Sequence, residues 1–422
     1  MTLPRSGLDV HSTIPGRQKG TTKPLAIAFA GALALATIMG IGRFAFTPVL
    51  PMMLADGLID LKGGSLLATA NLIGYLLGAL VCIALPSLLA RLDRWRPLST
   101  TIIRYGLLST ALLTLAMACP IPPLWPMLRF LAGVVTAITL IYTAGWCLAR
   151  LARAGQASLG GLIFTGPGIG IVLSGIVASA LTAFNLSSSD AWLAFGGLAA
   201  VLTAPTWRIF RGDDTPLAPA VSAPVSTSGW TAEQLIFAFA YGLAGFGYII
   251  TATFMPVIAR EALAASPWID LFWPIFGVSI ICGALLASRI PHHIDLRYVL
   301  IGSYIVQAAG ILTSLVWPTV PGFVLSSILI GLPFTGITHF AMQEARRLSP
   351  RKATSFMALL TALYGIGQIA GPPLVGLLLN HTPTHAAGFT LGLQTAAASL
   401  LVGAMLYLFK IRSFPLVQTG GS

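Results

Sequence analysis

GIGRFAFTPVLP at residues 40–51 and GFGYIITATFMP at residues 245–256 stand 205 positions apart in one 422-residue chain. Each holds a Gly-x-Gly followed by a proline nine residues after the second glycine, and each lies inside an apolar run. The same offset relates Gly160, Gly166 and Pro167 to Gly365, Gly371 and Pro372, and Pro86 to Pro291. With 44 glycines in the chain one match means little, but several at one offset mark an internal repeat of half the chain. The molecule is therefore read as two copies of one unit.

Composition defines that unit. Hydrophobic residues make up 56% of the chain and charged residues only 9%, where a soluble domain carries about a quarter charged to clothe its surface. Most of the surface must face lipid, which excludes an ordinary soluble domain and a disordered chain. Cys82, Cys119, Cys147 and Cys282 each sit in an apolar run, which excludes a disulfide scaffold and reads as four free buried thiols. At 1.5 Å rise per residue, about 20 apolar residues cross a bilayer core. Ten uncharged runs meet that length. Two of them, 298–343 and 353–409, are twice too long and are divided by Trp317-Pro318 with Pro321-Gly322 and by Asn380-His381-Thr382-Pro383. The expected fold is an all-α membrane protein with twelve spans, at 25–54, 65–90, 98–119, 123–149, 157–184, 190–208, 232–259, 269–290, 298–317, 321–343, 353–379 and 386–410. No ten-residue segments alternate with period two, so a β-barrel is excluded.

The stretch 212–231 is rich in Pro, Ala, Ser and Thr and reads as a linker. The expected organisation is a disordered tail 1–24, a six-helix bundle 25–208, a linker 209–231, a second bundle 232–410 and a tail 411–422. If the amino terminus is inside, the inner segments hold nineteen of the 24 Lys and Arg and the outer loops hold only Lys62 and Arg260. Positive loops resist translocation, so both termini and the linker are expected in the cytoplasm. The net charge of +12 then belongs to loops beside an anionic leaflet and implies no nucleic-acid partner. Residues 1–24 lack the apolar core of a secretory signal.

Two parallel six-span repeats joined by an inner linker form a carrier that binds its solute between the halves near the midplane and rocks to expose it to either side. The plan resembles the major facilitator superfamily over about residues 25–410. Leu128-Arg129-Phe130-Leu131-Ala132-Gly133 is similar to its fourth-helix arginine motif, and Gly166-Pro167-Gly168-Ile169-Gly170 to its fifth-helix GP motif. Arg91-Leu92-Asp93-Arg94-Trp95-Arg96 resembles its gating loop, with Leu89 and Arg96 where glycines are expected. Gly40–Pro51, Asn71–Leu80, Gly245–Pro256 and Tyr364–Pro372 resemble the YbfB/YjiJ branch more narrowly. The resemblance implies a monomeric carrier in a bacterial inner membrane, a conformational role for Asp93, Arg94 and Arg96, and no settled substrate.

Three cations fall inside spans. Arg43 lies near the middle of span 1, where an unpaired guanidinium costs at least about 2.5–3.5 kcal/mol, so it must meet an anion or carbonyl oxygens. It is read as a substrate counter-ion or gate, against a clamp on carbonyls freed by Pro48 and Pro51. Arg129 stands between a site role and snorkelling outward, and Arg104 reads as snorkelling inward. None of the twelve carboxylates falls at mid-membrane, which leaves no acidic proton carrier there. His339 is the one histidine inside a span and is read as a cross-helix hydrogen-bond partner ahead of a proton relay. Asn71, Tyr75, Tyr142, Trp146, Tyr241, Tyr248 and Gln368 complete the cavity candidates, each also able to satisfy a neighbouring helix. Gly166, Pro167, Gly371 and Pro372 are expected to form flexing, close-packed faces where the halves meet. No P-loop, nucleophile elbow, CxxC or HExxH occurs, so neither ATP-driven transport nor catalysis is expected, and no cofactor or metal; His292-His293 reads as a solvated loop. The chain is read as a secondary transporter of a small organic solute, an anion because the mid-membrane charge is positive. The alternatives are a proton-linked exporter of drugs or metabolites and a transporter-shaped sensor.

Overall fold

The computed structural model describes residues 23–92, 99–211, 229–263, 266, 268–291 and 294–415, and the regular structure there is entirely helical. Asp93, Arg94 and Arg96, His292-His293, and most of the linker and both tails lie outside the described residues. Twelve long helical spans follow one another: α1 Pro24–Ala55, α2 Leu61–Leu92, α3 Ser99–Ala116, α4 Trp125–Arg153, α5 Ala157–Ala183 and α6 Ser188–Ile209, then α7 Ala232–Ala262, α8 Phe272–Ala287, α9 Leu296–Val316, α10 Val320–Leu348, α11 Ala353–His381 and α12 His385–Ser413. Ten are apolar enough to cross a bilayer by length and composition. α3, with Arg104 among serines and threonines, and α6, with Asp190 and Arg208, are the less apolar two.

Short polar residues start the helices because a side-chain oxygen satisfies an amide that has no intrahelical partner. Ser187 with Asp190 and Thr231 with Gln234 form reciprocal capping boxes on α6 and α7. Thr319, Thr384 and Asp295 cap α10, α12 and α9. Asp295 is partly buried, which pushes its carboxyl up, but the hydrogen bonds and charge of Arg297 outweigh this and hold it below its ordinary value.

Proline and glycine interrupt three spans. α1 runs as Pro24–Leu35, widens into a π stretch at Ala36–Ile41, turns at 42–45 and resumes as Phe46–Ala55 around Pro48 and Pro51. α10 breaks before Phe334, at Leu332-Pro333, and α5 breaks before Gly166-Pro167. A proline lacks the amide that closes the previous turn, so each break releases carbonyls that need partners.

Helices approach closely where glycine removes the side chain. A Cβ on Gly40 would stand 2.2 Å from Gly170 Cα, so α1 and α5 pack backbone to backbone; on Gly245 it would stand 2.3 Å from the carbonyl oxygen of Tyr364, giving α7 and α11 the corresponding contact. Between the halves, α5 meets α8 at Gly168 and Gly277, and α2 meets α11 where Ser65 Oγ donates to the carbonyl of Pro372 at 2.5 Å. Within the GP motifs Gly166 faces Ala32 of α1 and Gly371 faces Ile249 of α7, each within its own half, while Gly168 and the Pro372 carbonyl make crossing contacts.

Three hydrogen bonds join the halves among the described residues, Arg43–Tyr248, Thr47–Ala252 and Ser65–Pro372, and each lies in the part of its helix away from the termini. On the termini side Thr338 is exposed and its hydroxyl accepts from buried Tyr241, while α5 and α8 still meet there, a Cβ on Gly161 standing 3.2 Å from Ser288 Cβ. On the termini side of the second half, Lys410 is 0% exposed and Glu344 1%, bonded at 2.6 Å, with Glu233 3.4 Å from Lys410 and Arg347 gripping Glu344 through two nitrogens. Mutual pairing is what lets these charges be buried. The expectation of four buried thiols is corrected here: Cys119 and Cys282 are exposed, leaving Cys82 and Cys147 buried.

Candidate substrate site

Arg43 and Tyr248 are equivalent positions of the two repeats, and the structure brings them together, Arg43 Nη2 donating to Tyr248 Oη at 3.4 Å. One turn on, the next equivalent pair also meets, Thr47 Oγ1 donating to the carbonyl of Ala252 at 2.8 Å. Symmetry mates touch only beside their axis, so α1 and α7 cross on the pseudo-two-fold axis and Arg43 stands on it. Gln368 of α11 also donates through Nε2 to Tyr248 Oη. The Arg43 guanidinium lies 4.5 Å from the centre of the Tyr75 ring and 5.3 Å from that of Phe44, both cation–π distances. Arg43 is 6% exposed, and among the described residues no carboxylate lies within ion-pair distance of it.

Arg129 takes the clamp role weighed for Arg43. Its Nη1 and Nη2 donate to the carbonyls of Gly42 and Arg43, each at 3.2 Å, in the turn that interrupts α1. It is buried, not snorkelled, and its guanidinium lies 4.8 Å from the Phe46 ring centre. Asn71 Nδ2 in turn donates to the Arg129 carbonyl at 3.0 Å, tying α2 to α4. Arg43, Thr47, Asn71 and Arg129 also line a cavity of about 20 Å³, space for one water-sized group.

Aromatic rings surround the guanidinium on the side of the second half. Tyr241 and Tyr364 stack at 4.7 Å and Tyr248 and Tyr364 at 5.9 Å, with near-parallel planes. Phe334, placed by the α10 break, meets Tyr248 edge-on at 5.0 Å and Phe44 at 6.1 Å, while Phe44 also meets Trp273 at 6.2 Å. Of the sequence candidates, Arg43, Tyr75, Tyr241, Tyr248 and Gln368 converge here. Tyr142 is half-buried and joins none of these contacts, and Trp146 packs against Phe210. His339 is exposed and bonds Gln343 on its own helix at 2.7 Å, so the expected partner across helices is replaced by a neighbour one turn away. Arg104 lies 4.3 Å from the centre of the Trp207 ring. Sequence reasoning missed Tyr364, Phe334 and Thr338. Tyr364 had a signal: it lies four residues before Gln368, on the same helix face.

Two parallel-repeat helical halves that meet around a buried cation on the axis define a transporter of the major facilitator class, not an enzyme. The chain belongs to the family described as "Uncharacterised MFS-type transporter YbfB", which it matches over residues 35–408. The crystal structure of the nucleoside transporter NupG superposes with a TM-score of 0.68 at 19% identity, covering 92% of this chain and 99% of that one. A point mutant of the same transporter superposes with a TM-score of 0.69 at 18% identity, with the same coverage. At that identity the likeness is one of fold. Comparison with curated proteins finds no match.

Proposed function

We propose that this secondary transporter moves a small organic anion, held by Arg43 between its halves. The supporting observation is the buried Arg43 guanidinium, bonded to a phenol and facing aromatic rings without a carboxylate partner among the described residues. Charge at that depth costs kilocalories unless an opposite charge joins it, and a carried anion supplies that charge. Arg129 is committed to the fold first, because both its terminal nitrogens hold backbone carbonyls of the α1 turn. The position of Arg43 on the axis fits a solute handed from one side to the other while the halves rock around it.

The proposed setting is a bacterial inner membrane with both termini cytoplasmic, on the strength of the charged loops. In intact cells, with Cys119 replaced by serine, a cysteine at Leu186 should react with an impermeant thiol reagent and one at Ala154 should not; the reverse pattern would invert the topology. The solute class is tested by counterflow in proteoliposomes against labelled carboxylates, amino acids and amphiphilic cations. Exchange of a carboxylate is the expected result, and exchange confined to cations would overturn the reading.

A further inference from the structure

We propose that the carried anion is an aromatic monocarboxylate, its carboxylate on Arg43 and its ring against Tyr364 and Phe334. The inference rests on the anion reading above and narrows it.

The single charge follows from counting donors. Both terminal nitrogens of Arg129 are bound to carbonyls, whereas Arg43 gives one to Tyr248 and keeps further N–H donors of its fork. One fork matches one carboxylate. Arg129, held on the carbonyls of Gly42 and Arg43, is the one further cation beside Arg43 among the described residues, and no lysine or histidine joins the contacts there. A second carboxylate on the solute would have to draw Arg129 from the carbonyls of the α1 turn, a cost that disfavours dianions.

The ring follows from the walls. The parallel tyrosine stack and the edge-on group around Phe334 meet at Tyr248, whose hydroxyl is the acceptor of Arg43, so the aromatic surface begins beside the guanidinium. Tyr364 and Phe334 are only half-buried, unlike Tyr241 and Tyr248, and so keep surface for a solute. Thr338, in the helix that carries Phe334, is exposed and accepts from Tyr241 of the tyrosine stack, so the aromatic wall reaches the surface there. A flat ring gains quadrupolar contacts with such walls that an alicyclic body of equal area does not.

Calorimetry on the purified protein separates the possibilities, with benzoate, cyclohexanecarboxylate, terephthalate and benzyl alcohol as probes. Benzoate is expected to bind about tenfold more tightly than cyclohexanecarboxylate, with terephthalate and benzyl alcohol at least as weak as the latter. Tyr364→Leu should weaken benzoate about tenfold and leave cyclohexanecarboxylate almost unmoved, Tyr364→Phe should recover most of the loss, and Phe334→Leu is an independent second variant. Equal affinity for benzoate and cyclohexanecarboxylate, or equal losses for both in Tyr364→Leu, would overturn the aromatic assignment while sparing the anion reading. Tighter binding of terephthalate would overturn the single charge. Binding of benzyl alcohol with no carboxylate bound would overturn both readings, and absence of benzoate binding would overturn this one.

Discussion

Arg43 and Arg129 carry the same cation at similar depth, and their neighbours give them opposite tasks. Arg129 satisfies two carbonyls of the broken α1, so Arg129→Ala leaves both unpaired and should destabilise the fold by roughly 2–4 kcal/mol, read as a fall in melting temperature. Arg43 bonds only phenols, those of Tyr248 and Tyr75, and removing a buried charge that lacks a counter-charge costs little, so Arg43→Gln should melt no lower than the parent while losing transport. Arg43→Lys should also transport poorly, since an ammonium lacks the planar two-pronged fork; normal transport by Arg43→Lys would reduce the residue to a point charge. His339→Gln should leave transport largely intact, because His339 bonds Gln343 and stands apart from the cluster. Collapse of gradient-driven accumulation with counterflow retained would instead make it the proton carrier. The sequence made the depth of Arg43 plain, since depth follows from position along a helix. It left the clamp and the counter-ion undivided, because that choice depends on which carbonyls the α1 break exposes and which helix faces them.

Helices carry the repeat into three dimensions through their glycines. Gly40 and Gly245 occupy equivalent positions and serve equivalent contacts, against α5 and α11. Gly40→Val should push α1 from Gly170 and lower the yield of folded protein in detergent, whereas Gly302→Val, at a position with open space around it, should not. Equal yields would show that α1 and α5 do not pack backbone to backbone. Span number, breakers and the 205 offset could be read from the chain because apolar length and proline act locally. The buried Lys410–Glu344 pair could not, since it joins α10 and α12 across residues that each look like a solvated helix end. The π stretch of α1 was equally hidden: a widened turn leaves no mark in residue type.

At the scale of the molecule, alternating access requires the outer contacts to part. Ser65 of α2 and Gly376 of α11 face each other there, with Ser65 Cβ 3.6 Å from the Cβ that a side chain at 376 would have, within disulfide reach. Ser65→Cys with Gly376→Cys should therefore cross-link on mild oxidation, stop transport and recover on reduction. A cross-linked protein that still transports would mean that this side never opens.

The central claim is that Arg43 holds a carried anion on the axis between the halves, and counterflow in proteoliposomes tests it most directly when parent and Arg43→Gln proteins are reconstituted side by side. With a labelled aromatic monocarboxylate outside and the same unlabelled acid inside, the parent protein should concentrate the label and Arg43→Gln, equally folded and inserted, should not. Equal counterflow by the two proteins, or counterflow of neutral and cationic solutes alone, would contradict the account.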